Sequence, residues 1–149
     1  MLSRLVRTLA LVLVLATGVT FGAPTEADAG QRGHVLEKRV IGRSVKGRDI
    51  NAWHLDNSSG RGPTVVLIAT MHGNEGAPRG ILDSLRRGGA VRGVDLWLVP
   101  VYNPDGLAAH HRRNAHGVDL NRNYPYHWAP LTGSYFSGPK PASEIEYQL

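Results

Sequence analysis

The 149 residues contain no cysteine. A disulfide scaffold, a cysteine-ligated zinc site and a thiol nucleophile are therefore all excluded. Lysine is nearly as scarce, with three residues, and aromatic residues make up only 7%. Nucleic-acid binding calls for clustered Lys and Arg with interleaved aromatics. Here the arginines of the region after residue 30 are scattered from Arg32 to Arg122, so the net charge of +5 does not point that way. No apolar run approaches the ~20 residues of a membrane-spanning helix. There is no internal repeat and no low-complexity tract. What remains is globular composition, 42% apolar and 19% charged, at a length that suits one domain of ~100–200 residues.

Residues 1–29 read as an address rather than as part of the fold. Arg4 and Arg7 precede the apolar run Leu9 to Ala16, and Ala27-Asp28-Ala29 supplies small residues ahead of Gly30. This is the layout of a secretory signal peptide. It predicts an extracytoplasmic protein of the cell envelope or medium, beginning at Gly30, with no stable membrane span after cleavage. Without disulfides, an exported chain has to be stabilised by a packed core, a metal, or both.

Along the remainder, Val35 to Val45 and Ile50 to Leu55 read as extended segments joined by the turn Lys46-Gly47-Arg48-Asp49, a hairpin. Thr64 to Ala69 is a continuous β-branched apolar run, expected for a strand buried on both faces. A helix is expected from Ala77 to Arg87, with Pro78 in its first turn, Ala77, Ile81, Leu82 and Leu85 on its inner face and Gly88-Gly89 ending it. Val94 to Val101 is the next strand, leaving the ladder at Pro100. Asn103-Pro104-Asp105-Gly106 reads as a turn. Ala108 to Tyr126 is too polar and irregular for a long helix, and Ser143-Glu144-Ile145-Glu146 reads as a helix N-terminus with Ser as cap. Alternating strand, helix and strand predict an α/β sheet. Two buried strands with few partners do not complete one, so residues 30–149 are expected to be the front portion of a larger domain.

His72 and Glu75 fall just past the carboxyl end of a predicted buried strand, where open α/β sheets place ligands. A neutral imidazole and a carboxylate three residues apart in a turn suit a catalytic Zn²⁺, although the bare pair taken alone better suits a loop histidine beside a helix-capping Glu. Gly117 to Pro125 then packs Asp119, Asn121, Arg122 and Asn123 into one stretch. The planar fork of Arg122 can hold a carboxylate bidentately, and Asn121 can add a donor. Asp119 can accept the free N–H of a zinc-bound histidine. Arg112 can stabilise an oxyanion.

The ordered motifs His72-Gly73-Asn74-Glu75, Asn103 to Gly106, Arg112-Arg113-Asn114, Gly117 to Asn123 and Gly138 to Glu146 resemble those of the zinc metallocarboxypeptidases. The stretch from Ile41 to Arg48 resembles that family's opening hairpin. Within the family, the compact spacing and Asn123 to Trp128 look most like the bacterial murein peptide amidases and small secreted relatives. The resemblance implies the N-terminal part of a mixed-sheet, three-layer α/β fold of the phosphorylase/hydrolase-like kind. It implies Zn²⁺ as cofactor, with His72 and Glu75 as the first two ligands and Asp119 behind the histidine. Asn121 and Arg122 would hold the substrate's terminal carboxylate, and Arg112 would hold the oxyanion. The partner would be a peptide or murein peptide, taken by a monomer, and the reaction hydrolysis of a C-terminal peptide or amide bond.

The family's third ligand, its general-base Glu and a substrate-capping Tyr would all fall beyond Leu149, so the chain alone is expected to be inactive. Ile145 stands where relatives often carry Pro. His34, His54, His110, His111, His116 and His127 read as surface or loop histidines. Two other readings compete: a non-catalytic module for carboxylate-terminated peptides, and an acyl-amino-acid deacylase.

Overall fold

The structure is a computed structural model, and it describes residues 35–55 and 62–148. The expected signal peptide and His34 lie outside the described residues. Four strands form one mixed sheet in the order β1-β2-β4-β3, with β1 at Val35–Arg43, β2 at Asp49–Leu55, β3 at Thr64–Ile68 and β4 at Asp95–Val99. β1 and β2 form the expected antiparallel hairpin, with irregularities in register at Leu36 and Ile41. β2 pairs antiparallel to β4, and β3 runs parallel to β4 from Thr64↔Asp95 to Ile68↔Val99. The parallel pair needs a crossover, and α1, Arg79–Arg87, supplies it.

The period of two along each strand divides the core. Leu55, Ala69, Leu96 and Leu98 meet Leu82 of α1 on one face. Ile50, Ala52, Val99 and Tyr102 meet Leu120 on the other. β3 departs from the expectation of burial on both faces. Val65 and Leu67 pack toward α1, but Val66 and Ile68 are 54% and 44% exposed. An unbroken apolar run carries no signal for which face is covered, and those two side chains line an open groove with Ile41, Tyr102, Tyr124 and Tyr147.

α1 starts at Arg79 rather than Ala77, and Ile81 is 65% exposed rather than on the inner face. With nine residues, the helix buries only Leu82 fully. Asn103 to Gly106 is more than a turn. Asn103 caps a short helix, α2, at Pro104–Ala108, its side chain accepting from the Gly106 N–H. Ser143 does not open an α-helix: its hydroxyl donates to the Glu144 carboxylate at 2.8 Å, and the segment beyond is a 3-10 helix, Ile145–Gln148.

Two polar anchors hold the periphery to this frame. Asp105 of α2 reaches the β1–β2 turn, accepting from the Lys46 N–H at 2.9 Å and from Arg48 at 2.5 Å. Burial raises its carboxyl pKa, but these donors outweigh burial and the net shift is downward. At the other end, Glu144 and Glu146 are buried, and both accept from the Asn114 side-chain amide, at 2.6 and 3.2 Å. His116, expected to be a plain loop histidine, pairs with Glu144 at 2.8 Å. Burial, aided by the neighbouring Glu144 charge, raises the Glu146 pKa above its ordinary value.

A group with a raised carboxyl pKa favours folding below its unfolded value near 4.5, and that contribution is lost as pH climbs toward the folded value. Glu146→Gln, a permanent mimic of the neutral acid, should therefore gain on the wild type in melting temperature from pH 4 upward. Parallel melting curves across pH 4–8 would refute the assignment.

Candidate active site

The His72 turn leaves the carboxyl end of β3, and Asn103 and α2 leave that of β4. The two ends are joined by backbone hydrogen bonds from Ala69 N–H to the Val99 carbonyl, from Tyr102 N–H to the Ala69 carbonyl and from Asn103 N–H to the Thr70 carbonyl, at 2.9, 3.1 and 3.0 Å. Thr70 sits at φ 55°, a conformation that a β-branched residue adopts only when its surroundings impose it. Its hydroxyl donates to the Pro100 carbonyl at 3.0 Å, and this contact helps hold the kink. The kink turns the chain sharply out of the strand and into Met71-His72.

The His72 turn lies against α2 through two glycine backbones. A Cβ on Gly73 would stand 1.9 Å from the Gly106 carbonyl carbon, and one on Gly106 would meet the Asn103 amide at 2.5 Å. Asn103, fully buried, ties the assembly together: its side-chain amide reaches the Met71 carbonyl at 3.3 Å and the Arg112 carbonyl at 3.4 Å. The sequence reading missed this residue. The signal was present in Asn followed by Pro and Asp, the pattern of a helix cap with Pro at the first position.

Four of the six candidate residues come together. The fully buried Asp119 accepts from His72 Nε2 at 3.0 Å and from the Asn121 N–H at 3.0 Å on one oxygen. Its other oxygen accepts from Arg112 Nε at 2.8 Å. Arg112 also approaches Glu75 at 3.5 Å. On the far side of the imidazole, His72 Nδ1 faces Glu75 Oε2 at 3.1 Å. The contact between Arg112 and Asp119 was not foreseen. Asp119 is placed by its own backbone, its N–H donating to the Phe136 carbonyl at 2.8 Å, and by the tight turn before it, where Gly117 takes φ 78°.

The last two candidates stand to one side. Asn121 enters the cluster only through its backbone. Arg122 donates to the Asn121 carbonyl at 3.1 Å and lies with its guanidinium carbon 5.8 Å from the centre of the Tyr135 ring. The same ring takes Arg112 at 5.2 Å. Asn121 and Arg122 also line a cavity of about 130 Å³ with Tyr124, Tyr126, His127 and Trp128.

The proton count at His72 bears on a metal. If the imidazole donates from Nε2 to Asp119, a singly protonated ring turns a lone pair at Nδ1 toward a carboxylate oxygen. Two lone pairs at that distance require a cation or a second proton between them. Two ligands on a tetrahedral ion with bonds of about 2.0–2.2 Å lie roughly 3.2–3.6 Å apart, close to the observed separation. The pair therefore fits one edge of a zinc site. Among the described residues, no three His, Asp or Glu side chains converge as a complete site would.

The zinc carboxypeptidase family profile matches residues 26–149. The chain belongs to that family. Metallocarboxypeptidase A of Trichophyton tonsurans is 29% identical over 143 residues, covering 72% of this chain and 34% of that protein. Carboxypeptidase D of Drosophila melanogaster is 33% identical over 113 residues, covering 57% of this chain and 8% of its own length. Among solved structures, murein-tripeptide amidase MpaA from Escherichia coli O157 superposes with a TM-score of 0.58 at 29% identity, covering 74% of this chain and 52% of that one. Carboxypeptidase A from Helicoverpa armigera shares the fold at a TM-score of 0.59 and 23% identity, covering 76% of this chain and 36% of that one. The chain thus spans about a third of the length of the metallocarboxypeptidase A relatives.

Asp119→Ala strands a buried imidazole and a part-buried guanidinium together, and should lower unfolding free energy by about 2–4 kcal/mol. Gly73→Ala, forced against backbone, should cost about 1–3 kcal/mol or more, whereas Gly80→Ala in α1, where a Cβ meets nothing, should gain about 0.5–1 kcal/mol. Urea unfolding of the three variants measures all of this, and an innocuous Gly73→Ala would contradict the backbone contact.

Proposed function

We propose that this chain supplies the front half of the active site of an exported zinc-dependent hydrolase. Its substrate class is a peptide, murein peptides included, cleaved at the C-terminal peptide or amide bond. The observation that carries the reading is the His72 imidazole, held at Nε2 by Asp119, with its other nitrogen turned onto Glu75. A carboxylate behind a histidine is the usual support for a metal ligand, fixing the tautomer and raising ligand basicity.

On this reading His72 and Glu75 hold the metal, and Asp119 orients the histidine. When bound, zinc supplies Lewis acidity toward a scissile carbonyl. Arg112 is fixed through Nε to Asp119. That leaves N–H donors on its guanidinium for the developing negative charge on the carbonyl oxygen. Asn121 and Arg122 take the terminal carboxylate, with the Arg122 fork giving two parallel hydrogen bonds. We assign the third ligand and the general base to the part of the relatives' length that this chain does not span.

Zinc titration of the purified chain, in competition with a chromophoric chelator, tests the metal assignment without requiring activity. One zinc should bind, more tightly as pH rises, because a ligating imidazole has to be free of its second proton. His72→Ala should abolish binding, and Asp119→Asn should weaken it by roughly 10–100-fold. Equal zinc affinity in His72→Ala, Glu75→Gln and the wild type would overturn it.

A further inference from the structure

We propose that Tyr135 is a positioning residue for the carboxylate anchor, its ring fixing where the Arg122 guanidinium stands relative to Arg112. This rests on the reading that Arg122 grips a terminal carboxylate. The two arginines are held in different ways. Arg112 is fixed by Asp119 and approaches Glu75. Arg122 forms no salt bridge among the described residues, and its hydrogen bond goes to the carbonyl of its own neighbour, Asn121. A long side chain so loosely held would lose much rotamer entropy on gripping an anion. Its other described contact is the Tyr135 ring, at 5.8 Å.

That contact suits the task. A guanidinium stacked on an aromatic face is attracted through the ring's π-density, and its in-plane N–H donors stay available. Arg122 can therefore rest on Tyr135 and still present its fork to a carboxylate. The ring is also contacted by Arg112, at 5.2 Å, so one side chain references both cations.

The ring is itself held from the site. Tyr135 closes a 3-10 turn, Gly133–Tyr135, whose first carbonyl accepts from Arg113 at 3.1 Å. The carbonyl of the next residue, Phe136, accepts from the Asp119 N–H at 2.8 Å. Tyr135 is thus flanked by tethers to two of the segments that carry the cluster, the Arg112–Arg113 loop and the Asp119 stretch. At 53% exposure it remains open to a ligand, and its removal takes little from the core.

The test is titration of the chain with N-benzoylglycine and with the matching amide, N-benzoylglycinamide, followed by calorimetry or NMR. The wild type should prefer the acid, and Arg122→Ala should lose that preference. Tyr135→Leu should weaken the acid about three- to ten-fold and leave the amide unchanged, whereas Tyr135→Phe should bind both as the wild type does. A Tyr135→Leu chain that keeps the full preference overturns the positioning role. So does a loss shared equally by acid and amide, or one reproduced by Tyr135→Phe. A wild type without preference, or an Arg122→Ala chain that retains it, overturns instead the carboxylate-anchor reading beneath it.

Discussion

The Asp119 carboxylate is the interaction on which the site depends. It is buried, yet it is not a lone charge: an imidazole, a guanidinium and a backbone N–H converge on its two oxygens. A buried carboxylate is tolerated only when it is this well supplied with donors. The same arrangement holds the His72 ring at Nε2 and Arg112 at Nε. Three segments distant in sequence, the turn after β3, the loop at Arg112 and the stretch at Asp119, are brought to one point by an ion that none of them could bury alone.

Around that point the fold acts as a clamp on loop geometry. The sheet contributes the parallel ends of β3 and β4, and backbone hydrogen bonds run on past both strands to hold the segments beyond them. Thr70 bends the chain, Asn103 links its neighbours, and Asp105 ties α2 back to the β1–β2 turn. The hairpin lies far from His72 in sequence, yet it braces α2, against which the His72 turn rests. The carboxyl pKa values of Asp105 and Glu146 are shifted in opposite directions, since donors dominate at the first and burial at the second.

Much of this was legible in the sequence, for reasons that can be stated. The strands announce themselves by β-branched runs, α1 by its Gly-Gly end, and His72, Glu75, Asp119 and Arg112 by donor chemistry in family order. Several features were not legible. The one-sided exposure of β3 depends on what lies over the sheet, which an unbroken apolar run does not encode. The outward position of Ile81 reflects a helix whose Leu82 alone is fully buried. Glu144 and Glu146 read as acids at a helix start, and their burial depends on partners distant in sequence, the Asn114 amide for both and His116 for Glu144. Asn121 joins through its backbone, a role that its side-chain chemistry could not signal.

The close approach of Gly73 to the Gly106 main chain has a consequence for anyone moving this site into another scaffold. The bend at Gly73 has room only for a bare α-carbon against the α2 main chain, and α2 at Gly106 is hemmed in by Asn103, His111 and Arg113. The stretches around the two glycines behave as one interlocked part, so a transplant that carries His72 and Glu75 but leaves α2 behind would deliver those side chains on a loop that has lost its backing.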